Sequence, residues 1–198
     1  MKSNLTVRWV ALVSAVCFLI AAFSKLWGMV LTSIFYYQGL HLNVYANRVS
    51  GDLHELNILN HYIGMLTIGN GMPEFHYIIW VIFVLALGSL VVAALPSKRN
   101  SIVVFVVQLV LLIVLASDFI YRLYQYGHDF APDAAIKVSP FTPEVWGNYQ
   151  LANFHVVTSP GIGAFILIIG FLLMFAIVWM YPQRASLKIA IEARKQGS

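Results

Sequence analysis

Apolar and polar positions along this chain sort into four long apolar runs, joined by one short and two long connections. The runs span roughly Val7 to Leu26, Tyr77 to Leu95, Ile102 to Tyr121 and Gly161 to Tyr181. Each is close to the ~20 residues that carry an α-helix across the hydrocarbon core of a bilayer. Lipid offers no hydrogen-bond partners, so a crossing segment must satisfy its own backbone, as a helix does. The pattern predicts an all-α membrane protein, one integral domain with transmembrane helices at about residues 7–26, 77–95, 102–121 and 161–181. Two long loops follow, at about 28–76 and 122–160, each expected to contain short helices, with a tail over 182–198.

Composition agrees with lipid as the main solvent. Hydrophobic residues make up 60% of the 198 and charged residues 10%, against ~25% charge in an ordinary soluble domain. The net charge of +4 is then no sign of nucleic-acid binding, and its placement says more than its sum. Lys2 and Arg8 precede or enter the first run, Lys98 and Arg99 sit in the short turn, and Arg184, Lys188, Arg194 and Lys195 follow the fourth run. Basic residues collect on the cytoplasmic side. Both termini are therefore expected inside, and both long loops outside, on a plasma (inner) membrane. A signal peptide is the competing reading of the first run. Its length and its interfacial end at Ser24-Lys25-Leu26-Trp27 favour a retained helix. The single cysteine, Cys17, permits neither an internal disulfide nor a cysteine-based metal site. The tail carries Leu187, Ala190 and Ile191 on one side, as a helix lying on anionic lipid would. Gly161, Gly163 and Gly170 suit close helix packing.

All six histidines lie in the two long loops: His41, His54, His61 and His76 in the first, His128 and His155 in the second. Histidine is the commonest metal ligand and a common proton carrier. In the first loop Asp52 is placed to cap a helix, with Glu55 three residues on as in a capping box. The helix is expected to run on through Met65. At 100° per residue, His54, Asn57, His61 and Met65 then share an arc of about 80°. Imidazole with thioether suits copper, Cu(I) taking the softer methionine, and Met72 follows soon after. His54, His61, His128, Met65 and Met72 are the candidate metal ligands. Glu74, Asp129 and Asn57 are candidates to orient a ligand from behind. The plainer alternative is that His and Asn on this face hydrogen-bond a neighbouring loop. Leu56, Leu59 and Ile63 form an apolar flank for the bilayer surface or the other helices. Asp118 and Arg122, four apart near the membrane edge, are expected to form a local ion pair.

Several strings together carry a resemblance. They are Leu59-Asn60-His61-Tyr62-Ile63-Gly64-Met65, Met72-Pro73-Glu74-Phe75, Tyr126-Gly127-His128-Asp129, and Asp133-Ala134-Ala135-Ile136-Lys137-Val138. From about Gly39 to Phe154 the chain resembles a family of small four-helix membrane proteins found beside nitrous oxide reductase maturation and copper-chaperone genes. The resemblance implies an accessory protein that binds or delivers copper on the extracytoplasmic face for a cuproenzyme. It also implies membrane or periplasmic partners: the cuproenzyme or its maturation factors. His61, Met65, Met72, Glu74 and His128 match the pattern, while His41, His54, His76 and His155 depart from it. The expected site is accordingly built around His61 and His128.

Two further classes compete. An electron-transfer subunit would hold a haem between two imidazoles, or a quinol near Tyr62, Asp118 and His128. No histidine pair lies within the apolar runs, which counts against a buried haem. A structural subunit would use its aromatic surfaces to anchor a larger complex. No hydrolase triad, P-loop or dinucleotide fingerprint is present, so an enzyme acting alone is the least favoured class.

Overall fold

The four apolar runs fold as helices, and much of the two long connections folds as a sheet. The computed structural model describes residues 2–151 and 153–196, with side chains over 5–151 and 153–181. The long helices are α1 (Lys2–Phe23), α3 (Glu74–Ala94), α4 (Lys98–His128) and α5 (Ile162–Gln196). All four are long and apolar enough to cross a membrane. Helix α1 packs on α3 and α5, and α4 packs on the same two. The buried face of α1 is largely Ala11, Ala15, Ala21 and Ala22, and such small side chains let helix backbones approach closely. Gly170 of α5 meets α1 at Ser14, Cys17 and Phe18. The expected apolar side of the tail, Leu187, Ala190 and Ile191, lies outside the described side chains.

A polar knot joins the helices at mid-depth. The Ser14 hydroxyl is 3.1 Å from that of Ser89 and donates to the Gly170 carbonyl at 2.8 Å. The Gln108 amide donates to the Leu85 carbonyl at 2.9 Å and to the Ser89 hydroxyl at 3.0 Å. Polar side chains inside a bundle favour helix association, because lipid supplies no competing partner.

The strands are β1 (Trp27–Thr32), β2 (Leu40–Val44), β3 (Val49–Gly51), β4 (Gly147–Leu151) and β5 (Phe154–Pro160). They form one antiparallel sheet in the order β3-β2-β1-β5-β4. This corrects the all-α expectation. The strands alternate in the pleat: Trp27, Met29 and Leu31, Leu40 and Leu42, and Phe154, Val156 and Thr158 face inward. Their signal is short, and β1 begins only four residues after α1, so its start merges with the apolar run before it. Pairing of β1 with β5, from Trp27↔Pro160 to Thr32↔His155, brings the two long connections together. The Gly161 amide donates to Leu26 and the Gly163 amide to Lys25, both at 2.8 Å, which fixes the sheet to the ends of α1 and α5.

Between the sheet and the bundle lies α2 (Leu53–Ile63). Asp52 stands at its N-terminus but makes no side-chain cap there. Its carboxylate instead accepts from the His41 amide at 2.8 Å, tying α2 to β2. Leu56 is buried against the sheet and the ends of α3 and α4, with Leu59 packed beside it. The apolar flank of α2 thus closes a core above the bundle.

A cavity between sheet and bundle

The inner face of the sheet, α2, the ends of α3 and α4, and residues 136–143 enclose a cavity of about 410 Å³. That is within the ~300–1,000 Å³ of small-molecule sites. Its lining is overwhelmingly apolar: Trp27, Leu31 and Val156 from the sheet, Leu56 from α2, Phe75 and Leu123 from the long helices. The Trp27 indole donates to the Val145 carbonyl at 2.8 Å and meets Phe119 edge-on at 5.6 Å. The second long connection is stitched over the cavity by backbone bonds. Ala131 donates to Gly64 at 2.8 Å, Ile136 to Tyr62 at 2.9 Å and Phe141 to Gly127 at 3.0 Å.

One region of the lining is charged. Glu74, in the first turn of α3, is 6% exposed. One of its carboxylate oxygens lies 3.8 Å from an Arg122 Nη. Arg122 also stands 4.0 Å from Asp118 through its Nε, and its Nη1 donates to Gln125 at 3.1 Å. The expected Asp118–Arg122 pair is present, with Glu74 as a third member. Pairing through Arg122 joins α3 to α4 just below the sheet. The Tyr126 hydroxyl contacts Met72 Sδ at 3.2 Å.

The proposed ligands are distributed differently from their sequence pattern. Helix α2 ends at Ile63, and Gly64 turns left-handed at φ 74°. The Met65 amide bonds back to the Asn60 carbonyl at 2.8 Å and that of Gly64 to His61 at 3.3 Å, a Schellman-type stop. Met65 therefore leaves the helical face of His54 and His61 and enters the cavity wall with Met72. Asn57 holds no ligand from behind. Its amide clamps Ile68, donating to its carbonyl at 2.8 Å and accepting from its N–H at 2.7 Å. That is the plainer of the two readings of this face.

No histidine lines the cavity. His54, His61 and His76 are exposed on helices, and His41 and His155 point from the outer face of the sheet. His61 meets the ring of Tyr62, whereas half-buried His128 stacks on Tyr124 at 3.9 Å. The His128 Nδ1 is 3.0 Å from the Tyr124 carbonyl. His61 and His128 thus have separate partners. Asp129 is exposed beside His128. Among the described residues, no three His, Cys, Asp or Glu side chains gather as a metal group. The sequence reading missed Trp27, Arg122 with Glu74, and Tyr126 as parts of one site. Glu74 opening a helix otherwise free of acid until its end was the available signal.

Tyr149 of β4 also lines the cavity. Burial, and then the nearby Glu144 carboxylate, push its phenol up to about 12. A folded-state value raised above the ordinary 10 contributes stability that is complete below pH 10 and lost as pH rises towards 12. In an ultraviolet titration of phenolate absorbance, Tyr149→Phe should remove one late-ionising tyrosine. Loss of an early-ionising one would contradict this.

The chain matches no family model and no curated protein.

Proposed function

We propose that this chain is an integral membrane protein that takes a mainly apolar, amphipathic molecule from the bilayer. The molecule is held between the sheet and the ends of α3 and α4. The cavity carries this reading: it is large, apolar and bounded on one side by a charged cluster at the helix ends. Two of the three residues expected around a quinol, Tyr62 and Asp118, line it. Lys98 and Arg99 stand at the bundle end away from the sheet. By the positive-inside rule this supports termini inside and the sheet on the extracytoplasmic face of the plasma membrane. Solvent extraction of protein purified in mild detergent, followed by mass spectrometry, should yield about one such guest per chain. Val156→Phe, which pushes a ring into the cavity, should lower that yield severalfold without unfolding the protein. Equal amounts of co-purifying molecules in both proteins would refute the reading.

Copper handling for an extracytoplasmic cuproenzyme is the second reading, and one observation favours it. Met65 and Met72 line the same cavity, so two soft thioethers face one shielded space. On this reading Met65→Leu with Met72→Leu abolishes Cu(I) uptake in competition with a bicinchoninate probe. His61→Ala with His128→Ala has the smaller effect. Protein that takes up no stoichiometric Cu(I) would rule copper out.

A further inference from the structure

The charged region of the cavity also selects the head of its occupant. This step rests on the cavity being a ligand site. Glu74 is 6% exposed, and its Oε2 has no hydrogen-bond partner among the described residues. The Arg122 Nη2 approaches that oxygen only to 3.8 Å, too far for a hydrogen bond. The Arg122 Nε is likewise buried without a hydrogen-bond partner, at 4.0 Å from Asp118. One buried acceptor and one buried donor are therefore open in the same lining. Buried polar groups are nearly always satisfied, so such a pair calls for an occupant.

Charge narrows the choice. The cluster has two acidic side chains, Glu74 and Asp118, against one guanidinium. A carboxylate or phosphate head would add a negative charge to that excess in a poorly hydrated space. An ammonium head would satisfy Glu74 but supply no acceptor for Arg122. A bare hydrocarbon would leave both groups open. A hydroxyl satisfies both, since its O–H donates and its oxygen accepts. We infer that the cavity binds a neutral, hydroxyl-headed amphiphile, its O–H donated to Glu74 and its oxygen accepting from Arg122. The tail lies along Trp27, Leu31 and Val156. A quinol and a diacylglycerol share this chemistry.

Binding of matched probes to the full chain in detergent tests the assignment. The probes are decylubiquinol kept reduced, dioctanoylglycerol and dodecanoate, followed by competition against the native guest. At least one hydroxylated probe should bind wild type about tenfold more tightly than dodecanoate, as expected for a charge-assisted hydrogen bond without added repulsion. The tighter of the two hydroxylated probes identifies the source. Glu74→Gln keeps the shape but removes the charge, so it should erase most of that preference and strengthen dodecanoate binding. A melting curve checks that the variant is folded, and Glu74→Asp, which keeps the charge, should retain the preference if Gln does not fold. Dodecanoate binding as tightly as both hydroxylated probes would overturn the head assignment while leaving the cavity as a ligand site. A preference unchanged in Glu74→Gln would do the same. Binding of none of the probes would overturn both.

Discussion

Gly127→Val is expected to detach the outer wall of the cavity and to empty it. Gly127 is the penultimate residue of α4, and a Cβ there would fall on the Phe141 carbonyl oxygen. It would also stand 2.8 Å from the carbonyl carbon of Phe141 and 3.4 Å from Pro143. These are mainly backbone atoms, so no rotamer change relieves the contact. The same approach lets the Phe141 amide donate to the Gly127 carbonyl at 3.0 Å. Phe141, Pro143 and Val138 all line the cavity. Overpacking costs about 1–3 kcal/mol, and the lost hydrogen bond adds about 1 kcal/mol. The expected result is a lower melting temperature in detergent, faster proteolysis between residues 129 and 145, and loss of the co-purifying guest. Wild-type proteolysis with the guest retained would show that this wall does not depend on Gly127.

Arg122→Leu should have an effect of similar size for a different reason. It leaves Glu74, with a side chain only 8% exposed, beside an apolar cavity and without its cation. Removing one member of a buried pair costs about 3–5 kcal/mol. Arg122 is 31% exposed at its side chain, so the lower end of that range applies, about 3 kcal/mol. The double variant Glu74→Leu with Arg122→Leu removes the stranded charge and should recover most of the loss. A denaturation series on the wild type, both single variants and the double variant measures the coupling. Additive losses would mean that the two side chains act independently. The double variant should bind hydroxyl-headed probes poorly even when it is stable, because both head contacts are gone.

These effects depend on features that differ in how visible they were in the chain. Asp118 and Arg122 were legible as a pair because helical spacing alone brings residues four apart together. Glu74 was not legible as their third member. It lies 44 and 48 positions earlier in the chain (118 − 74 and 122 − 74), and only the docking of α3 on α4 closes that distance. Met65 shows a similar limit. Its phase on a continued helix matched His61, yet Gly64 ends the helix one residue earlier and sends Met65 into the cavity. The glycine was visible, but a glycine inside a helical pattern stops the helix only where the following chain has somewhere to go. Here that destination is supplied by Asn57 and Asn60, whose side chains hold Ile68 and Leu66.

The sequence by itself determined the four long helices and the joining of both long connections to the same bundle end. Lipid leaves a run of about twenty apolar residues one way to satisfy its backbone, so no distant contact is needed to choose it. Tertiary structure decided everything built above the helix ends. Strand pairing turned β1 and β5 into one sheet and put Leu40, Leu42 and Val156 inside, which left His41 and His155 outside. A side chain's face in a strand follows from register, and register is set by the partner strand. The histidines that stood out in the chain were therefore directed away from the cavity, whereas Trp27, Glu74, Arg122 and Tyr126 were brought to it.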